Sequence, residues 1–157
     1  YKPLPTIPFK DSAFNSNMNI TLKDKSSRLI LIDIISCGRV AFGESFEYKY
    51  YKSYTEVKCC DRLVYVDNTI YDPYIIDLNN FGMFEGYTHL ANLLICNFDD
   101  PIEKLNLIRD IIENDKEING GATLTQSKDI SIKIFGYSAQ KLTYISEEII
   151  RIFENIC

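Results

Sequence analysis

The run Leu29-Ile30-Leu31-Ile32-Asp33-Ile34-Ile35 constrains the fold more than any other stretch. It is nearly continuous in aliphatic and β-branched residues, which suits a strand covered on both faces. Around it, Asn19-Ile20-Thr21-Leu22 reads as a short strand between turns at Asn15-Ser16-Asn17 and Lys23-Asp24-Lys25-Ser26-Ser27. Three further strands are expected at Phe46 to Tyr51, Tyr54 to Cys60 and Leu63 to Val66. Their polar separators, Lys52-Ser53 and Asp61-Arg62, are short, so the simplest arrangement pairs consecutive strands antiparallel. Asp67-Asn68 then reads as a turn and Asp72-Pro73 as the start of a loop. Residues 79 to 87 combine turn formers with exposed-looking aromatics, and Thr88 to Phe98 returns as a strand.

Helical periodicity appears late in the chain. Asp100 is placed to cap, Pro101 to occupy the first turn and Glu103 to complete a capping box, with Ile102, Leu105, Ile108, Ile111 and Ile112 on one stripe. Gly120-Gly121 ends the connection that follows. Ala122 to Gln126 and Ile130 to Phe135 then read as a strand pair turned at Ser127-Lys128-Asp129. Ser138 can cap a last helix that buries Leu142, Ile145, Ile149, Ile152 and Ile156, with Glu147 and Arg151 paired outside. The opening, with Pro3, Pro5 and Pro8 between Leu4, Ile7 and Phe9, is an extended connector with apolar anchors, since proline would break a central strand.

Composition narrows the function. The 157 residues suffice for one domain. A net charge of -5 and the lack of a basic run disfavour nucleic acid. Five cysteines, odd in number and without a C-x-x-C pair, argue against a disulfide framework and a zinc knuckle, and fit reduced thiols in the cytoplasm. No apolar run reaches the roughly 18 residues of a membrane span, and the start is no signal peptide. Residue 1 is tyrosine, so the chain reads as trimmed or a fragment, its first strand lacking a sheet neighbour.

Candidate chemistry is sparse. Gly38-Arg39-Val40-Ala41-Phe42-Gly43-Glu44-Ser45 has the glycine spacing of a phosphate loop, but Glu44 stands where the lysine must be, and the sequence beyond alternates like a strand instead of opening a helix. Nucleotide binding is therefore rejected. What remains is a tight turn bringing Arg39 and Glu44 together, as an ion pair that fixes the fold or as part of a partner surface. His89, the only histidine, suits a metal ligand, a base or a packed residue. Cys59 and Cys60, adjacent in a strand, would point to opposite faces and not share a metal; they read as small core-filling residues, with a transient metal contact as the alternative. Asp33, Glu44, Asp67, Asp72 and Glu85 could line a cation path, though nothing in the sequence brings them together. No Ser-His-Asp order, Cys-His motif or H-E-x-x-H is present. These residues describe a mainly β protein with a binding or scaffold role.

The proline-rich start Tyr1 to Phe9, the stretch Gly38 to Phe46, Asp67 with Pro73, Gly86 and His89, and Gly120-Gly121-Ala122 together resemble the urease accessory protein family UreD, called UreH in some bacteria. Lys133 stands where the family's arginine is expected, keeping the charge. The family's N-terminal strands are missing, so residues 1–157 read as one UreD-like domain from the C-terminal part of a longer chain. The resemblance implies stacked β-sheets in a β-helix-like arrangement with two α-helices near the C-terminus, and a non-enzymatic nickel chaperone. It implies binding of apo-urease and UreF, which recruits the GTPase UreG, while UreE supplies nickel. Nickel would be held only transiently, crossing by an internal passage of weak ligands for which Glu44, Asp67 and His89 are candidates. Gly38, Arg39, Gly43 and Glu44 would form a partner-binding or structural motif. The rival reading is a metal-dependent hydrolase using His89 with Asp67 or Asp72.

Overall fold

The aliphatic run forms a strand, and both of its faces are covered. The computed structural model describes residues 1–154. In it, strands β1 (Ala13–Leu22), β3 (Tyr50–Cys59) and β4 (Arg62–Tyr71) form a three-stranded sheet in the order β1-β3-β4. Strands β2 (Leu29–Ser36), β5 (His89–Cys96), β7 (Ile130–Gly136) and β6 (Ile118–Leu124) form a four-stranded sheet in the order β2-β5-β7-β6. Helices α1 (Pro101–Asn114) and α2 (Ala139–Glu154) pack on the outer face of the larger sheet. The result is three layers, with the four-stranded sheet in the middle.

Two-residue alternation divides that middle sheet between two cores. Ile32 and Ile34 of β2, Ala91, Leu93 and Ile95 of β5, and Ile130, Ile132 and Ile134 of β7 turn toward the helices. There they meet Leu105, Ile108 and Ile112 of α1 and Leu142, Ile145, Ile149 and Phe153 of α2. Full burial of side chains of this size stabilises by on the order of 2 kcal/mol each. The intervening residues Leu31 and Ile35 of β2 and Leu90 and Leu94 of β5 face the smaller sheet, where the apolar contacts split into two clusters.

The mainly β expectation with two late helices holds, but the sheets are open, and the winding of a β-helix is not shown by these strands. All pairs in the larger sheet are antiparallel, and β1 pairs with β3 in parallel.

Several boundaries differ from the sequence reading. The turn expected at Asn15-Ser16-Asn17 lies inside β1, the separator Lys52-Ser53 inside β3, and the turn at Asp67-Asn68 inside β4. Phe46-Glu47-Tyr48-Lys49, expected to open a strand, precedes β3 as irregular chain. Phe46 has φ +54, Tyr48 is buried as an anchor between the sheets, and the Lys49 N–H donates to the Ser12 carbonyl at 2.7 Å instead of joining a ladder. Gly120 and Gly121 do not end a connection but sit within β6, where Gly120 lies so close to β7 that a Cβ would be 2.3 Å from the Lys133 carbonyl oxygen. Of the aromatics in the 79 to 87 loop, Phe81 is exposed but Phe84 is 1% exposed, packed edge-on against Phe46, Tyr71 and Phe135.

The helices keep their expected places with different ends. Asp100 has φ +52 and its side chain makes no cap hydrogen bond, so no capping box forms on it. Ile102 is 66% exposed; Lys104 is buried instead, its ammonium 5.7 Å from the Phe153 ring centroid. Ser138 caps α2 as expected, its Oγ accepting from the Lys141 N–H at 3.1 Å. Glu147 pairs with Lys2 at 2.5 Å and not with Arg151. Ile152 is half-buried, and Ile156 lies outside the described residues.

The opening segment runs along the free edge of β2. The Tyr1 amine donates to the Ile30 carbonyl (2.7 Å), Ile32 N–H to Tyr1 (3.0 Å), Thr6 N–H to Ile34 (2.7 Å) and Ser36 N–H to Thr6 (3.0 Å). Proline suits this edge because Pro3 and Pro5 have no N–H to leave unpaired. The anchoring is by backbone: Leu4, Ile7 and Phe9, expected as apolar anchors, are exposed.

Candidate functional site

Two places hold the residues singled out from the sequence. The first is the turn after β2. Val40–Phe42 makes a single 3-10 turn closed by Gly43 at φ +76, and no helix follows, which removes the geometry a phosphate loop needs. At Gly38, φ is +150 and a Cβ would lie 2.9 Å from the Glu44 carbonyl oxygen, so the chain can fold back only with glycine there. The fold-back joins Arg39 and Glu44 through two hydrogen bonds, Nε to Oε2 at 2.8 Å and Nη2 to Oε1. Glu44 also accepts from the Lys10 N–H at 3.2 Å. The hydrogen bonds from Arg39 hold the Glu44 carboxyl below its ordinary range. The guanidinium lies 4.8 Å from the Phe9 ring centroid and 5.2 Å from that of Phe42, giving an ordered aromatic and cationic surface.

The second place lies between the sheets. Asp33, Asn92, Lys133 and Gly121 are register partners on β2, β5, β7 and β6, forming a row across the four-stranded sheet. Opposite it, the smaller sheet contributes Ser16, Ser53 and Thr69 as one row and Met18, Thr55 and Asp67 as the next. Asp33, Asn92, Ser53, Thr55, Asp67 and Thr69 line a cavity of ≈ 30 Å³. Since about 10–15 Å³ on this measure holds one water, it has room for a small cation or a couple of waters.

This belt is electrostatically unusual for a core. Burial, with the nearby charge of Asp67 adding to it, pushes the Asp33 carboxyl above its ordinary value. Tyr71, also on the cavity wall, is pushed up to about 12, first by burial and then by the charges of Asp67 and Asp33. The buried Asn92 Oδ1 has no hydrogen-bond partner among the described residues. Lys133 Nζ reaches across from β7 to both Asp67 oxygens, at 3.4 and 3.5 Å. The site thus offers carboxylate, amide and hydroxyl oxygens suited to a cation, with an ammonium at one side.

The remaining candidates are dispersed. Of the five acids, the structure brings Asp33 and Asp67 to one cavity; Glu44 serves the turn, Asp72 accepts from the Tyr74 N–H at 3.0 Å, and Glu85 accepts from the Gly82 N–H at 2.8 Å. His89 is 9% exposed at the start of β5, its Nδ1 2.8 Å from Thr88 Oγ1, and burial lowers its pKa. No group of three His, Cys, Asp or Glu residues able to hold a metal occurs among the described residues, so His89 is not assembled with Asp67 or Asp72 into the three-ligand centre a hydrolase would use. Cys59 is buried at the end of β3, but Cys60 leaves the strand and is exposed, and the two thiols stand 3.9 Å apart instead of facing away from each other. Asn92, Ser53, Thr55 and Thr69 escaped the sequence reading. The available signal was the polar alternate residues of β3 and β4 at positions that must face another sheet.

No described helix is long and apolar enough to cross a membrane. Comparison with known proteins gives a consistent answer. A profile of the family described as UreD urease accessory protein matches residues 1–156. The chain is 35% identical to the urease accessory protein UreH of Helicobacter pylori (strain G27) over 152 residues, covering 97% of this chain and 56% of that protein. It is 32% identical to the urease accessory protein UreD of Acetivibrio thermocellus over 159 residues, covering 99% and 58% respectively. The chain therefore spans little more than half the length of these relatives.

Proposed function

The chain belongs to the UreD urease accessory protein family, and from that premise we propose that it serves urease maturation as a non-catalytic scaffold through which nickel passes between the two sheets. In this reading it binds apo-urease and UreF in the cytoplasm, with UreG recruited through UreF. Nickel is cargo, held in passing. The observation that carries the reading is the polar belt: Asp33, Asn92 and Asp67, with Ser53, Thr55 and Thr69, line a cavity between the two apolar clusters of the inter-sheet space. A cation in transit needs oxygen donors that replace part of its hydration yet release it, and two carboxylates with amide and hydroxyl groups meet that need better than a closed thiolate or imidazole cage. The burial that raises the Asp33 carboxyl disfavours its bare anion, and a cation beside it offsets that cost. The Arg39–Glu44 turn serves as a partner-binding or structural motif, away from the ion.

The test is complementation. Full-length protein supplied to cells lacking the native accessory protein should restore urease activity, and it should co-purify with UreF and apo-urease. Binding neither partner would remove the scaffold reading. Arg39→Ala, which frees the Glu44 carboxylate, should weaken complex formation; loss of activation with the complex intact would instead place the turn on the route of the ion.

A further inference from the structure

The hairpin joining β3 to β4 carries a feature that the inter-sheet passage does not use. Cys59 pairs with Arg62 across the ladder, so only Cys60 and Asp61 form the loop. Both have positive φ, +51 and +59. A two-residue hairpin turn of this kind favours Asn-Gly or Asp-Gly, because side chains other than those of glycine, asparagine and aspartate crowd the backbone in the left-handed region. A cysteine at the first position is therefore conformationally costly, and such departures are worth reading for function. Here it turns the Cys60 side chain back, bringing Sγ to 3.9 Å from that of Cys59.

Two adjacent thiols this close are poorly placed to oxidise to a disulfide with each other. Consecutive Cα atoms lie about 3.8 Å apart across a trans peptide, below the roughly 4.4–6.8 Å usual for a disulfide. They are well placed to share an ion. Two thiolates on a tetrahedral zinc ion, with Zn–S of about 2.3 Å, stand roughly 3.8 Å apart. The surroundings support the pair: the Asn97 side chain, fixed by donating to the Ser27 carbonyl at 2.7 Å, also lies with Nδ2 3.8 Å from Cys59 Sγ. Of the charged groups on the β1–β2 turn, Asp24 opposes the Cys60 thiolate and Lys25 favours it. Cys96 is 1% exposed and packs in the same apolar cluster as Cys59.

We infer that Cys59 and Cys60 form a two-thiolate site for a thiophilic d10 metal ion, zinc(II) or copper(I), at the exposed tip of the β3–β4 hairpin. Binding replaces two S–H bonds with two metal–sulfur bonds and releases two protons, without any change of oxidation state. Two protein ligands leave other coordination positions open, so the site takes up and releases an ion instead of stapling the fold.

The experiment titrates reduced full-length protein with zinc(II) against a chromogenic chelator, and anaerobically with copper(I) against a copper(I) indicator. One equivalent of either ion, with a thiolate-to-metal absorption band for copper(I) or for cobalt(II) substituted for zinc, is the expected result. Cys60→Ser should weaken binding by more than the roughly 100-fold that changes outside the ligand shell reach. Cys60→Asn keeps a residue suited to the left-handed turn and should abolish binding while leaving the protein folded, and Cys37→Ser should bind as the parent does. Equal binding by the parent and Cys60→Asn, or no binding of either ion by the parent, would overturn the assignment.

Discussion

Toward the helices, the four-stranded sheet presents Ile32, Ala91, Leu93, Ile132 and their neighbours, all buried and apolar. Toward the three-stranded sheet, it presents Leu31 and Leu94, then Asp33, Asn92 and Lys133, then Ile35 and Leu90. The same strands build both faces, so the difference is not one of secondary structure or register. One face is organised for stability. The other gives up apolar contact along a row of polar residues, leaving a partly polar cavity and an unpartnered amide oxygen. A core that only had to hold two sheets together would be expected to fill that row with aliphatic side chains.

Substitutions can break or sharpen the contrast. The largest loss is expected on the helix side: Ile132→Ala should cost about 2–5 kcal/mol in denaturant unfolding, because a fully buried side chain leaves a cavity that its neighbours fill incompletely. Gly120→Ala, which would drive a Cβ into the β7 backbone, should cost about 1–3 kcal/mol by the same measurement. Between the sheets the sign should differ. Because the folded pKa of Asp33 is raised, its contribution is fully present below the ordinary aspartate value and is lost as pH rises through the folded value. Asp33→Asn should remove that decline, leaving a variant as stable as the parent in acid and more stable near neutrality; thermal unfolding across pH checks it. The smallest change is expected from Lys133→Met, since the partly exposed pair with Asp67 contributes only ~0.5 kcal/mol.

This contrast also explains what could be read from the sequence. Strands β2 and β5 were legible because continuous aliphatic residues mark a sheet covered on both faces. The periodicity of α2 was legible for a similar reason, its Leu142, Ile145 and Ile149 all lying in the core. The misplaced turns at Ser16, Ser53 and Asp67 all fall on inward residues of the smaller sheet, beside or within the polar belt. A strand whose inward face becomes polar loses its hydrophobic alternation and resembles a turn. The site was therefore hidden by its own chemistry. The Arg39–Glu44 pairing was legible because glycine spacing and opposite charges identify a short fold-back locally. The proximity of Cys60 to Cys59 was not, because it depends on a left-handed backbone at a residue type that seldom adopts it.

The most direct measurement is urease activation by full-length protein carrying Asp33→Asn and Asp67→Asn together, with stability and partner binding followed in the same samples. A folded protein that still binds UreF and apo-urease but no longer activates urease is the expected result. Activation at the parent level by that doubly substituted protein would contradict passage of nickel between the sheets.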